Sequence, residues 1–199
     1  MLNKDFIDAL NLKGVLAEGT SRRKFLKNGL IVATAAQLWS PTQADAKSLM
    51  DDARIIKVQN AHTGEVFEGE YWANGRYNAD AFREVKAIFR DHRTNEKFPI
   101  DPRLIDILYV LQERSENRDG FRLFSGYRSP KTNRKLRRLT DGVAENSLHM
   151  LGQAIDMRLP GTNLGKLQKT AISLKAGGVG YYRDSQFLHV DTGRVRHWS

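Results

Sequence analysis

From residue 54 onward the chain switches between short alternating stretches and helical spacing. Residues 54–72 alternate and contain turn signals: Arg54-Ile55-Ile56-Lys57-Val58, then Thr63-Gly64, then Glu65-Val66-Phe67. This pattern predicts two short strands joined by a turn. Asn74-Gly75 marks a further turn. Beyond Asn78, the positions Phe82, Val85, Ile88 and Phe89 recur at helical spacing, with Asn78 or Asp80 near the N-cap. Asp101-Pro102 opens a second helix that places Leu104, Ile107, Leu108 and Leu111 on one face.

The second half alternates again. Residues 121–127, Phe-Arg-Leu-Phe-Ser-Gly-Tyr, predict a strand running into a turn, followed by a basic helix from Pro130 to Leu139. Residues 154–159 predict a strand. After Pro160-Gly161, a helix runs from Leu164 to Lys175 and stops at Gly177-Gly178. Two strands, 179–183 and 186–191, close the chain. No internal repeat or low-complexity segment follows residue 50. Mixed strands and helices with hairpin-type connections predict an α+β domain.

The first 46 residues read differently. Ser21-Arg22-Arg23-Lys24-Phe25-Leu26-Lys27 precedes a modestly apolar stretch from Gly29 to Trp39 and then Ala44-Asp45-Ala46. A basic head, a short apolar run and small residues at a cut site are the layout of an export leader. The Arg22-Arg23 pair followed by Phe25 and Leu26 resembles a twin-arginine signal. The expectation is recognition by the twin-arginine export machinery, cleavage after Ala46 and a periplasmic mature protein. Residues 47–199 then form one domain with one core. No apolar run reaches ~18 uncharged residues, so no permanent membrane span is expected.

Composition narrows the chemistry. Net charge is +9, and residues 1–46, with six Lys or Arg and four Asp or Glu, leave +7 on the rest. A basic surface suits any polyanion, and the cluster from Arg128 to Arg138 reads equally as a solvated helix face. No nucleic-acid motif accompanies the charge, and export argues against a nucleic-acid partner. With no cysteine, disulfides, thiolate ligands and a cysteine nucleophile are excluded. Any metal site must use His, Asp and Glu.

Two of the five histidines stand in unusual company. His149 lies in Ser147-Leu148-His149-Met150-Leu151-Gly152-Gln153-Ala154-Ile155-Asp156, and His189 lies in Phe187-Leu188-His189-Val190-Asp191. Alternation puts Phe187, His189 and Asp191 on one strand face, and turns Asp156 away from the face that buries Ile155 and Met157. Two imidazoles and one carboxylate suffice for a catalytic zinc, with the fourth position left to water. Taken singly, a lone histidine is more often a packed or surface residue, and an aspartate near a strand end more often a turn former.

The string Ser-x-His-x-x-Gly-x-Ala-x-Asp, with a later strand carrying His, resembles the zinc peptidases that include D-Ala-D-Ala dipeptidases, D,D-carboxypeptidases and murein endopeptidases. Their fold is shared by hedgehog signalling domains. Ser125-Gly126-Tyr127-Arg128-Ser129-Pro130, Gly177-Gly178-Val179-Gly180-Tyr181-Tyr182 and Phe187 to Gly193 resemble three further segments of that family, in the same order. The resemblance implies a hedgehog/D,D-peptidase-like α+β fold, a small antiparallel sheet flanked by helices. It implies one zinc ion held by His149, Asp156 and His189, and Arg128 approaching the substrate carbonyl or carboxylate.

Tyr127 and Ser129 flank Arg128 and either shape the groove or serve packing and turns. Ser147 is expected to support His149 by a hydrogen bond, and Gly152 to permit a tight turn between the ligands. Many relatives place Glu or His two or three residues before the last ligand, where this chain has Gln186 and Phe187. Asp191 either orients a ligand or the attacking water, or makes a structural hydrogen bond. Asp184 is a second candidate base, His197 a candidate accessory acid, and His62 and His92 read as surface residues. The expected activity is cleavage of amide bonds in peptidoglycan cross-links, with the 3–3 type favoured by the resemblance. The alternatives are a D,D- or L,D-carboxypeptidase on stem peptides, or a non-catalytic wall-binding domain of the same fold.

Overall fold

The computed structural model describes Phe6, Leu10 and residues 53–199. The twin-arginine pair, the apolar run and Ala44–Ala46 lie outside the described residues. Phe6, although part of the segment read as a leader, is fully buried in the hydrophobic cluster, and Leu10 packs against that cluster.

Strands β1 (Arg54–Asn60) and β2 (Val66–Ala73) pair antiparallel, and the short β3 (Arg76–Tyr77) pairs with β2 across the Asn74-Gly75 turn. Helix α1 (Ala79–Ile88) starts where the Asn78 side chain accepts from the backbone N–H groups of Asp80 and Ala81. Helix α2 (Pro102–Arg114) starts at Asp101, whose carboxylate accepts from Arg103 N, with Pro102 in the first turn. Strand β4 (Phe121–Ser125) leads to helix α3 (Pro130–Leu139), then a single 3₁₀ turn (Leu148–Leu151), β5 (Ala154–Arg158) and helix α4 (Leu164–Ser173). Strands β6 (Gly178–Tyr182), β7 (Phe187–Asp191) and β8 (Arg196–Trp198) complete the chain.

The eight strands form one sheet in the order β3-β2-β1-β4-β5-β7-β6-β8. The α+β class is as expected, but the sheet is neither small nor wholly antiparallel. Pairs β1–β4 and β6–β8 run parallel. A parallel pair needs a crossover, and helices α1 and α2 lie in the long connection from β2 to β4. Helix α2 also departs from the one-faced reading. Asp106 and Gln112 are buried along with its apolar residues. Asp106 accepts from Arg54, Tyr71 and Tyr77, so a carboxylate inside the fold has three partners.

Alternation along β5 and β7 sorts the two faces. Ile155, Met157, Leu188 and Val190 join the core, and Asp156 and His189 project from the opposite face.

Candidate metal centre

Asp156 and His189 are direct register partners across β5 and β7. His149 reaches them from the 3₁₀ turn. That turn is reversed at Gly152, whose φ is +63° and whose missing Cβ would lie 2.0 Å from the Pro99 carbonyl oxygen. No other residue fits there without moving backbone.

Three donor atoms converge. His149 Nε2 lies 3.2 Å from His189 Nδ1 and 3.3 Å from Asp156 Oδ1, and His189 Nδ1 lies 3.0 Å from the same Oδ1. The other nitrogen of each ring is already committed. His149 Nδ1 donates to the Gly126 carbonyl at 2.8 Å, which can only accept. His189 Nε2 donates to Asp191 Oδ2 at 3.0 Å. With both rings neutral, each turns a lone pair toward the Asp156 carboxylate, an arrangement that suits a cation at its centre.

The edges of this triangle fit a metal. Tetrahedral zinc with bonds of about 2.0–2.1 Å has ligand–ligand separations of about 3.3 Å. His149, Asp156 and His189 are all buried, and they are a group of His and carboxylate side chains among the described residues able to hold such an ion.

The ionisation of these groups agrees with that reading. Burial alone would raise Asp156, but the neighbouring imidazoles outweigh it and hold the carboxyl well below the usual range. Burial pushes His149 down. Burial would lower His189 too, yet its bonds to Asp156 and Asp191 outweigh this and hold it up at about 9. A proton on His189 Nδ1 facing Asp156 thus supplies positive charge at that point, and a bound cation would take its place.

Asp191 is fully buried and multiply bonded. Its Oδ1 accepts from Gly178 N and Gly193 N, both at 2.9 Å, and both oxygens accept from Arg196, at 3.1 and 2.7 Å. Against the pull of burial, these contacts and His189 hold the carboxyl well below its ordinary value. It is placed to fix the orientation of His189 rather than to take a proton from water.

Strand β8, which the sequence pattern did not reveal, contributes to the site. Trp198 lies 5.3 Å from the His189 ring and its Nε1 donates to Tyr182 Oη. Gly180, opposite His189 on β6, makes room for the indole: a Cβ there would stand 2.6 Å from it. His197, between Arg196 and Trp198 on the same strand, is exposed and takes no part. The Trp198 parity could be read only once β8 was known to pair with β6.

The donors open into a groove of about 420 Å³, walled on one side by Phe124, Tyr182, Phe187 and Trp198. Phe187 stacks on Tyr182 at 4.6 Å, so the position occupied by an acid or His in many relatives is a packing residue here. Gln186 turns back to the Arg183 carbonyl, and Asp184 is exposed in the same turn, away from the groove lining. Asp141, which the sequence reading did not single out, lines the groove from the loop after α3.

Arg128 also lines the groove, with its side chain 11% exposed. Its contacts are long: 3.4 Å to Asp156 Oδ2, 3.4 Å to Ser125 Oγ and 3.3 Å to Asn133 Oδ1. Its Nε is buried without a hydrogen-bond partner. The long contacts of the two Nη groups leave donors at the groove edge that suit an incoming oxygen.

Three expectations need correction. Tyr127 is buried and stacks on Phe98 at 5.1 Å, and it does not line the groove. Ser129 is fully buried as the N-cap of α3, donating to Asp91 and accepting from Thr132 N, so its role is structural. Ser147 lines the groove but makes no hydrogen bond to His149, because the Gly126 carbonyl already holds that ring. His62 is exposed and His92 half-buried, and their rings stack at 3.8 Å.

Residues 48–198 match the family described as peptidoglycan L,D-endopeptidase MepK. Among curated proteins, the peptidoglycan L,D-endopeptidase MepK of Escherichia coli K12 is 43% identical over 178 residues, covering 89% of this chain and 97% of that protein. The Shigella flexneri protein of the same name matches equally. The probable peptidoglycan L,D-endopeptidase MepK of Haemophilus influenzae is 38% identical over 179 residues, covering 89% of this chain and 95% of that protein. No solved structure matches the chain.

Proposed function

Because this chain belongs to the peptidoglycan L,D-endopeptidase MepK family of peptidases, we propose that it is a zinc-dependent murein endopeptidase that hydrolyses amide bonds in peptidoglycan cross-links, preferentially of the 3–3 type. The observation that carries the hydrolytic reading is the convergence of His149 Nε2, His189 Nδ1 and Asp156 Oδ1 within 3.3 Å of one another. These three residues would hold one zinc ion, and we read the chain's α+β fold as hedgehog/D,D-peptidase-like. When bound, zinc polarises a carbonyl and acidifies a water.

The chain's own groups do the rest. Gly126 and Asp191 fix the two rings so that each presents its lone pair inward. Arg128 offers its loosely held Nη2 to the oxygen that gains negative charge as the amide carbon becomes tetrahedral. The aromatic wall packs the aliphatic parts of the stems and excludes water from that side. The same reading makes residues 1–46 a twin-arginine leader cleaved near Ala46, delivering the enzyme to the periplasm, where its polymer lies. No helix among the described residues is long and apolar enough to cross a membrane.

Digestion of purified sacculi containing both 4–3 and 3–3 cross-links tests the proposal. Zinc-loaded protein should convert 3–3 dimers to monomers without trimming their ends, and chelation should stop this until zinc is restored. An unchanged muropeptide profile, or full activity after chelation, would refute it. Loss of terminal residues from monomers would instead make the enzyme a carboxypeptidase. Elemental analysis of His149→Ala and His189→Ala should find zinc lost from both, and a full complement in both would defeat the ligand assignment.

A further inference from the structure

We propose that helix α3 is a second binding surface, separate from the groove, that docks the enzyme on a polymer bearing repeated carboxylates, the peptide stems of the sacculus. The proposal rests on the murein reading of the groove and adds to it the way the enzyme is held on its polymer.

Helix α3 has the sequence Pro-Lys-Thr-Asn-Arg-Lys-Leu-Arg-Arg-Leu. Lys131, Arg134, Lys135 and Arg138 stand at i, i+3, i+4 and i+7, which places them on one stripe about 100° wide. All four are exposed. None of them makes an ion pair or side-chain hydrogen bond among the described residues, whereas Arg137, off the stripe, pairs with Glu145 at 3.2 Å. Thr132 and Asn133 are buried on the opposite side.

A face maintained for solubility gains from alternating acids, through i,i+4 pairs. This helix has no acidic residue, so each stripe member faces like charge at three and four residues' distance. A ligand bearing several anionic groups relieves that repulsion.

The stripe is also rigidly tied to the reaction site. On the inner side of α3, Asn133 donates to the carbonyls of Ala144 and Glu145 and accepts from Arg128. Leu136 and Thr140, at the end of the helix, line the groove itself. The stripe turns outward from the groove side of the helix, so it would meet carboxylates of neighbouring stems in the polymer layer rather than the stem held in the groove. Charge complementarity of this kind acts over roughly a Debye length, about 8–10 Å, and weakens with salt.

The test uses the quadruple variant Lys131→Gln, Arg134→Gln, Lys135→Gln, Arg138→Gln. Glutamine is a good helix former, so circular dichroism should be unchanged. Chelated protein is co-sedimented with sacculi across a salt series, and zinc-loaded protein is assayed on sacculi and on a soluble cross-linked muropeptide dimer. At low salt the variant should bind sacculi about tenfold or more weaker, with a shallower salt dependence. Its kcat/KM on the dimer should stay within about twofold of the parent. Sacculus binding equal to the parent's would overturn the proposal, as would an equal loss of dimer cleavage. Retention on phosphatidylglycerol vesicles as strong as on sacculi would overturn it in favour of a lipid surface. Failure of the unsubstituted protein to cut the dimer would count against the proposed activity alone, because the sedimentation arm needs no cleavage.

Discussion

Asp191→Asn separates the orientation of His189 from its presence. In the native site Asp191 Oδ2 accepts from His189 Nε2 at 3.0 Å and from Arg196 at 2.7 Å, and Oδ1 accepts from Gly178 N and Gly193 N. An asparagine that keeps its oxygen on the two backbone N–H groups must turn its NH₂ toward His189 and Arg196, donor against donor. His189 relieves the clash by moving its proton to Nδ1, the atom that faces His149 and Asp156, and so loses the inward lone pair. Removing a partner of this kind costs about 10–100-fold in metal affinity, or about 1.4–2.7 kcal/mol. The side chain of Arg196 is 32% exposed and can turn to water, so the variant should fold. Zinc affinity is read by competition with a chromogenic chelator, with thermal unfolding of the chelated protein as the control. A folded variant that binds zinc within about twofold of the parent would refute the argument that Asp191 fixes the ring.

Arg128→Ala should keep its zinc and lose about 10²–10³-fold in kcat, the cost of a lost transition-state donor; unchanged turnover on a muropeptide dimer would remove Arg128 from the reaction. Gly152→Ala forces a Cβ to 2.0 Å from the Pro99 oxygen at φ +63°, which should cost about 1–3 kcal/mol and lower zinc affinity with it, both measurable by chemical denaturation and chelator competition. Asp91 is buried, and although burial raises its carboxyl, bonds from Thr132, Ser129 and Arg93 outweigh this and hold it at about 2. Because the folded value lies below the unfolded one of about 3.9, the stabilisation is present above pH ~4 and fades as pH falls toward 2. Denaturation at pH 5 and 2.5 should show the parent losing about 2 kcal/mol more than Asp91→Asn, and equal losses would remove Asp91 from the acid response.

Much of the site was legible because period-two alternation is a strong constraint. Once 154–159 and 186–191 were read as strands, Asp156 and His189 had to leave the face that holds Ile155, Met157, Leu188 and Val190. The helix starts at Asn78 or Asp80 and at Asp101-Pro102 were also readable, and the structure puts the first cap at Asn78. What stayed hidden depends on contacts remote in sequence. The partner of His149 is a backbone carbonyl at Gly126, where any residue type presents the same oxygen. Ser129 sits beside Arg128 in the chain, yet its hydroxyl is claimed by Asp91, 38 positions away. Strand β8 is three residues long and shows no period of its own, so its parallel pairing with β6, and with it the inward turn of Trp198 rather than His197, could not be inferred.

The facing of Asp156 and His189 across β5 and β7 ties the assembly of the donor set to correct folding. If either strand slipped by a single residue, one donor would be driven among the aliphatic side chains and a leucine, isoleucine, valine or methionine would take its place. A mispaired chain would forfeit the oily interior and the proposed ion-holding cluster in the same step. On the proposed metal reading, capture of a cation would report on strand alignment before any bond is cut.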